Sequence, residues 1–414
     1  MLAALGAAGL SAAVAACGSS APAPGAAALH TQTVADVGTT PPNVAGPAAT
    51  GSAGCRATTL VTLEGVARRV YFQAAHGRNG ANAVQRLGRS SALAAAVAAG
   101  DHAATLTALQ PLLKHQILHI TIRHGSKVVA DVGHIPVMAP IHGRLYSGGR
   151  LAGTYVLSVM NPASFAGITS RVTGSTVVVH SGTRRVAGGA AARGVRYRTV
   201  SFAGRAFPSG PLRISVLVPP AALKACASGR PINAADILGQ VAVRLFAAET
   251  RGTRVQQALT YVAKDPAYRR ALAARDRGGI TAAVKDGFFH VRRYHMVRVR
   301  AQRGSFVVDV GGPFVLAPAS RTVRDAGGRD AGTITLAIQD DTGYIKLLTR
   351  FTGSAVILHE GRTLVPGSTF DPGPARIPAR GVVTYRGRRY DAISFTGRAF
   401  PSGPLRISLL VPLR

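Results

Sequence analysis

Tryptophan is absent from the 414 residues, cysteine occurs three times, and acidic side chains number 17 against 49 Lys and Arg. Each scarcity excludes a class of chemistry. Cysteines at positions 17, 55 and 226 cannot build a CxxC redox motif or a Cys/His finger. Between Arg56 and Leu223 the acids are Glu64, Asp101 and Asp131, too far apart for a carboxylate pair or a carboxylate metal cage. HExxH, GxSxG, a phosphate-binding P-loop and a dinucleotide fingerprint are missing too. No catalytic residue, metal or cofactor is therefore expected, and the chain does not read as an enzyme. Beyond the N-terminus no apolar run approaches the roughly 18 residues of a membrane span. Patterns of aromatic RNA platforms or zipper-linked basic regions are lacking, so nucleic acid is not an expected partner.

What the chain has is basic charge and a repeat. The net charge of +32 draws it toward anionic surfaces such as lipid or phosphate-rich wall polymer. Val200 to Pro219 reads VSFAGRAFPSGPLRISVLVP and Ile393 to Pro412 reads ISFTGRAFPSGPLRISLLVP, identical at 17 of 20 positions. Duplication of one supersecondary unit explains this, with a Pro/Gly turn leading into a strand whose Leu212, Ile214 and Val216 alternate with Arg213 and Ser215.

Leu2 to Ala16 is a short apolar run ending VAACGS, which resembles a bacterial lipobox. Residues 1–16 are then a signal peptide and Cys17 the lipidated residue, placing the mature protein outside the cytoplasm on the cell membrane. Residues 17–54, rich in Ala, Pro and Gly without hydrophobic periodicity, read as a flexible tether. Folding is expected from Cys55, with one domain over 55–223 and a second over 224–414.

Helical periodicity runs from Leu60 to about Gln116 and again from Ile237 to Phe289, with Ser90–Asp101 aligning on Asp265–Asp276. Alternating hairpins follow at His119–Pro140 and Met296–Pro318. Gly153–Gly182 then matches Gly332–Gly361 at ten of thirty positions as strand, helix and strand, and the second copy inserts residues around 366–380 before the shared ending. The helix-first order, VVxDVG after the first sheet turn, GTITLAIQDDTGYIKLLTRFTG and the FPSGPLRIS ending resemble the Cache family of extracellular PAS-like sensor domains. The resemblance implies an α+β fold of two tandem PAS-like domains, each a long N-terminal helix packed with a mainly antiparallel five- to six-stranded sheet. It implies ligand binding, with signal output supplied by a separate transmembrane protein.

In such a topology Cys55 and Cys226 fall at the same pole, which implies a disulfide between them. Polar residues held in register in both copies are Arg171 with Arg350, Thr173 with Thr352, His180 with His359, Asp131 with Asp309, Arg205 with Arg398 and Arg213 with Arg406. The aspartates read as turn formers, and Arg205 and Arg398 as backbone-contacting residues. In Cache-like domains the short helix borders the pocket. Tyr344, Lys346, Arg350 and His359, with Arg171 and His180 in the first copy, are therefore the ligand-binding candidates. Arg and Lys there favour a small organic acid or amino acid, and the second copy is the expected working pocket. Against this stands a plainer reading in which Arg171 and Arg350 only complement a helix C-terminus. The alternative function is a wall-associated lipoprotein with degenerate pockets that binds anionic polymer. His115 and His119 have zinc-ligand spacing on a helix but no third ligand, so hydrogen-bonded or solvent-facing roles are expected.

Overall fold

The computed structural model describes residues 51–413 except 115–116, 134–135, 209, 229–231, 313–314, 371–372, 374–376 and 401–402. Cys17, most of the tether and His115 lie outside the described residues. The first half runs α1 (Gly51–His76), α2 (Arg78–Arg89), α3 (Ser91–Ala98), α4 (His102–Leu113), β1 (His119–His124), β2 (Lys127–Gly133), β3 (Val137–Met138), β4 (Ile141–Ser147), β5 (Arg150–Ser158), α5 (Pro162–Thr173), β6 (Thr176–Ser181), β7 (Arg184–Gly188), β8 (Arg198–Phe207) and β9 (Gly210–Val218). A 3-10 turn over Pro220–Ser228 follows. The second half runs α6 (Ala234–Arg251), α7 (Thr253–Lys264), α8 (Pro266–Ala274), α9 (Arg277–Ala282), β10 (Arg298–Arg303), β11 (Phe306–Gly311), β12 (Val315–Leu316), β13 (Ala319–Arg324), β14 (Asp330–Ala337), α10 (Asp341–Thr352), β15 (Ala355–Glu360), β16 (Thr363–Leu364), β17 (Arg380–Tyr385), β18 (Arg388–Phe400) and β19 (Gly403–Pro412). The fold is α+β with antiparallel sheets. α1 begins four residues before the expected start of folding at Cys55.

Scarce carboxylates begin the helices. Asp101, Asp265, Asp276 and Asp340 each accept a backbone N–H at an N-cap, and Ser90 does the same for α3. The aligned pairs Ser90 with Asp265 and Asp101 with Asp276 are therefore equivalent caps, satisfying donors that the first helical turn leaves free.

One expectation is corrected in both halves: each holds two sheets rather than one. The first half has a four-stranded sheet, β2-β1-β5-β4, and a five-stranded sheet, β3-β8-β9-β6-β7. The second has β11-β10-β14-β13 and a six-stranded sheet, β12-β18-β19-β15-β16 with β17 on β18. The division comes from a kink that alternation does not reveal. Ala139 and Ala317, each followed by Pro, sit at φ 55° and 59°. The chain there leaves β3 or β12, paired with the ending hairpin, and enters β4 or β13 in the smaller sheet. The N–H of Ala139 donates to the carbonyl of Arg205 and that of Ala317 to Arg398, at 3.0 Å each, which fastens the kink to the duplicated segment.

One large apolar core takes residues from both halves, joining α1, α5, α6 and α10 to the two larger sheets. Each smaller sheet has a core of its own beneath α2–α4 or α7–α9. α1 is buried on several sides because it packs on its own sheet and α5 and also on α6 and α10. Arg69 on α1 and Arg244 on α6 occupy equivalent places. The Arg69 guanidinium lies against Gly353, which ends α10 at φ 69°, and that of Arg244 lies against Gly174, which ends α5 at φ 68°. Each long helix thus brings a cation to the negative end of a short helix in the other half. Cys55 and Cys226 are bonded, with Cα atoms 5.5 Å apart across 171 residues of sequence, as the resemblance implied.

Candidate functional site

The duplicated segment is placed where the two sheets of each half meet, and a cleft opens there. In the first half it encloses about 750 Å³ between the C-terminal end of α1, the Ala139–His142 segment, and the β8–β9 turn from Ala203 to Pro211. That volume lies within the roughly 300–1,000 Å³ of small-molecule sites. Gly204 leaves room at this point: a Cβ there would sit 2.9 Å from the Ile214 side chain and 3.1 Å from the Tyr71 ring, and Gly397 stands in the same relation to Phe246 at 2.8 Å. Tyr71 packs edge-on against Phe165 and Phe202, and its hydroxyl accepts from the N–H of Arg205 at 2.7 Å. That bond uses the main chain of Arg205, whose exposed side chain is part of the cleft lining.

Polar groups in this cleft are cationic or basic. His76, at the end of α1, contacts the carbonyl of Phe72 through Nδ1 at 3.2 Å, and its buried Nε2 has no hydrogen-bond partner among the described residues. His142, half-buried on β4, has its pKa held below the usual imidazole range by burial and then by the Arg205 charge. Neutral His142 leaves Arg205 as the permanent cation. Among the described residues no carboxylate lines the cleft.

Behind Phe207, on the wall of this cleft, stands a second duplicated arrangement. The His119 ring meets Phe207 edge-on at 5.0 Å, and Nε2 lies 2.8 Å from Asp131, which also accepts from Thr121 at 2.6 Å. In the second half Arg298 and Arg300 lie over Phe400 at 5.3 and 5.2 Å and both grip Asp309. The two aspartates are thus mid-strand partners of β1 and β10, not turn formers. His119 is on a strand rather than a helix, in the hydrogen-bonded role expected of it.

The matching cleft of the second half is smaller, about 540 Å³, and is lined by Phe246, Thr250, Arg251 and Ser320 where the first has Tyr71, Ala75, His76 and His142. None of the six expected ligand-binding side chains lines either cleft. Tyr344 is fully buried in the shared core, edge-on to Phe246, with its hydroxyl donating to the carbonyl of Ala242 at 3.1 Å. Lys346 is exposed on α10 and Arg350 half-exposed in its last turn. Arg171 is exposed on α5, its charge directed at Glu249 on α6. His180 is cross-strand from Arg213, and its Nδ1 finds no hydrogen-bond partner among the described residues. His359 is buried opposite Arg406, at the edge of a hollow of about 410 Å³. The helix sits with its apolar face on the shared core, so its basic residues turn outward. Tyr71, His76 and His142 went unnoticed in the sequence because each differs between the copies; the repeated FPSGP ending, which borders the cleft, is the one signal that could have pointed to them.

A separate acidic group marks the second half. Asp341, at the start of α10, is buried with Oδ2 unpaired among the described residues. Burial, followed by the charges of Asp340 and Glu360, pushes its carboxyl up to about 7. Asn161, Pro162 and Ser181 stand at the matching places in the first half.

No known family model matches the chain, and no curated protein is detectably similar to it. No helix of the described residues is long and apolar enough to cross a membrane.

Proposed function

We propose that this chain is an extracytoplasmic ligand-binding protein of sensor type, held to the membrane by lipid on Cys17, whose two Cache-like halves serve solute recognition rather than catalysis. The cleft of the first half is the binding site, and its ligand is a small organic acid or amino acid with an apolar body. One observation carries this: the 750 Å³ cleft is walled by Tyr71, Val156 and Phe207, with Arg205 on its lining. An Arg fork over an apolar wall selects a carboxylate joined to a hydrocarbon. Signal output then belongs to a partner protein that reads the occupied cleft.

A thermal-shift series tests the assignment. Linear and branched monocarboxylates should raise the melting temperature, and the corresponding amides should not. A saturating ligand, at 100 times its dissociation constant, stabilises by about 2.7 kcal/mol. Arg205→Met should abolish the shift, while Arg350→Met on α10 should leave it intact. A shift that survives Arg205→Met and disappears with Arg350→Met moves the site to the helix face.

A further inference from the structure

Two of the hollows in the second half lie side by side. The cleft bounded by Phe246, Arg251 and Ser320 has Gln256 at one end, and the same Gln256 begins a second hollow of about 660 Å³ that runs along α7 to Tyr261, Lys264 and Arg293. Gln256 is held in place from both sides: its Oε1 accepts from Arg321 at 3.2 Å and its Nε2 donates to the carbonyl of Thr250 at 3.5 Å. Taken together they form a groove with the Gln256 amide where they adjoin, Arg251 on the lining of one hollow, and Lys264 and Arg293 on that of the other.

The far end has a particular chemistry. Arg293 is exposed, and its guanidinium lies 4.5 Å from the ring centre of Tyr294 and 5.6 Å from that of Tyr261. Arg254 anchors its backbone by donating to the Arg293 carbonyl at 3.2 Å. A guanidinium laid over two rings is fixed in orientation while the edge of its fork stays open, the arrangement that suits a carboxylate. The same stacking takes up the aromatic faces a nucleic-acid base would need. One carboxylate lines the hollow, Asp265, and it is engaged as the N-cap of α8 by the N–H of Tyr268 at 2.8 Å. Thr253 adds a hydroxyl to the lining, while those of Thr250 and Thr260 already donate to the carbonyls of Ala247 and Gln256 at 3.1 and 2.8 Å and offer only their acceptor side. Amide and hydroxyl groups in the middle, with cations at the ends, match a chain whose units carry both hydroxyls and carboxylates.

We propose that this groove binds an acidic oligosaccharide, a chain of carboxylate-bearing sugars several units long, as a site separate from the small-molecule cleft of the first half. The reading does not depend on that cleft: either can hold while the other fails.

Calorimetric titration of the full chain with oligogalacturonides from dimer to octamer, at about physiological ionic strength where long-range attraction is screened, tests it. Affinity should rise with length until the groove is filled and then level off. Neutral malto-oligosaccharides of the same lengths should not bind. Arg293→Lys keeps the charge but loses the fork, and should weaken binding about tenfold, the worth of one charge-assisted hydrogen bond. Gln256→Ala should abolish the gain from length while leaving dimer binding unchanged. Arg196→Ala, which removes an exposed cation from the first half, should have no effect. Equal losses for Arg196→Ala and Arg293→Ala, with Arg293→Lys unchanged, overturn the proposal and reduce the binding to general attraction of a polyanion by a basic protein. Equal binding of the neutral sugars overturns it too. Monocarboxylates acting through Arg205 report on the other cleft alone.

Discussion

The guanidinium of Arg69 lies where a Cβ at Gly353 would sit, so a side chain of the first half adds to the demand for glycine that a φ of 69° already makes in the second. Gly353→Ala should therefore lose more than the strain of a left-handed alanine, which is about 1–2 kcal/mol. Gly361 is the internal comparison. It has a similar φ of +57° and no atom within 4 Å of its Cβ direction. Urea unfolding should show Gly353→Ala less stable than Gly361→Ala, and Arg69→Ala should narrow the gap. Equal losses at the two glycines would remove the arginine from the account.

The bond between Cys55 and Cys226 closes a loop of 171 residues. In the chain-entropy treatment such a closure contributes up to about 5 kcal/mol, and engineered or native bridges commonly give 2–4. Replacing both cysteines with Ala should lower the unfolding free energy within that range. Non-reducing peptide mapping of the protein purified under oxidising conditions should recover the cross-linked pair, and free thiols at both positions would contradict it.

Asp341 makes a pH prediction whose direction follows from its raised pKa. A carboxyl that holds its proton more tightly folded than unfolded stabilises the fold less and less as pH rises from about 4 to 7, and the deficit persists above 7. Asp341→Asn imitates the protonated form. It should stabilise the protein at pH 8 by roughly 1–4 kcal/mol, the ceiling being a shift of about three pH units, and should have little effect near pH 4. Chemical denaturation at the two pH values reads this directly. A gain of the same size at both would point to packing rather than charge.

Anchoring is tested at Cys17. A single acyl chain holds a protein only marginally, whereas two or more hold it firmly. Cys17→Ser should move the protein from the membrane fraction to the soluble one. Retention of the Ser variant through high-salt washing would exclude lipidation as the anchor.

The order of helices, hairpins and strands was legible in outline because each rests on local signals, Asp and Ser caps, Gly turns and alternating Val, Ile and Leu; the division of each helical stretch into four helices and the strands β4 and β13 were not. The duplicated ending was legible as a repeat, but the pocket was expected at the short helix of the second copy and not beside that ending. The division into two sheets was hidden in Ala139 and Ala317, since an alanine in a left-handed conformation leaves no mark on composition. Tyr344, Lys346 and Arg350 were legible as polar residues on one helix, yet which face of α10 is buried depends on α1 and α6, elements far away in sequence. Arg69 and Arg244 were invisible for the same reason: what makes them matter is a glycine in the opposite half.

The exchange of arginines between halves is the pattern of a twofold dimer, in which residue i of one subunit meets residue j of the other and the reverse also holds. Here both subunits are one polypeptide. A free copy of either half would end its short helix uncovered and present the apolar side of its long helix, and the surface that fits both is found on a second copy. Expressed alone, residues 51–228 should therefore form homodimers. The linked form escapes one restriction of such dimers: its two clefts need not be alike. His76 can stand opposite Arg251, and His142 opposite Ser320, because a mutation in one half is not imposed on the other.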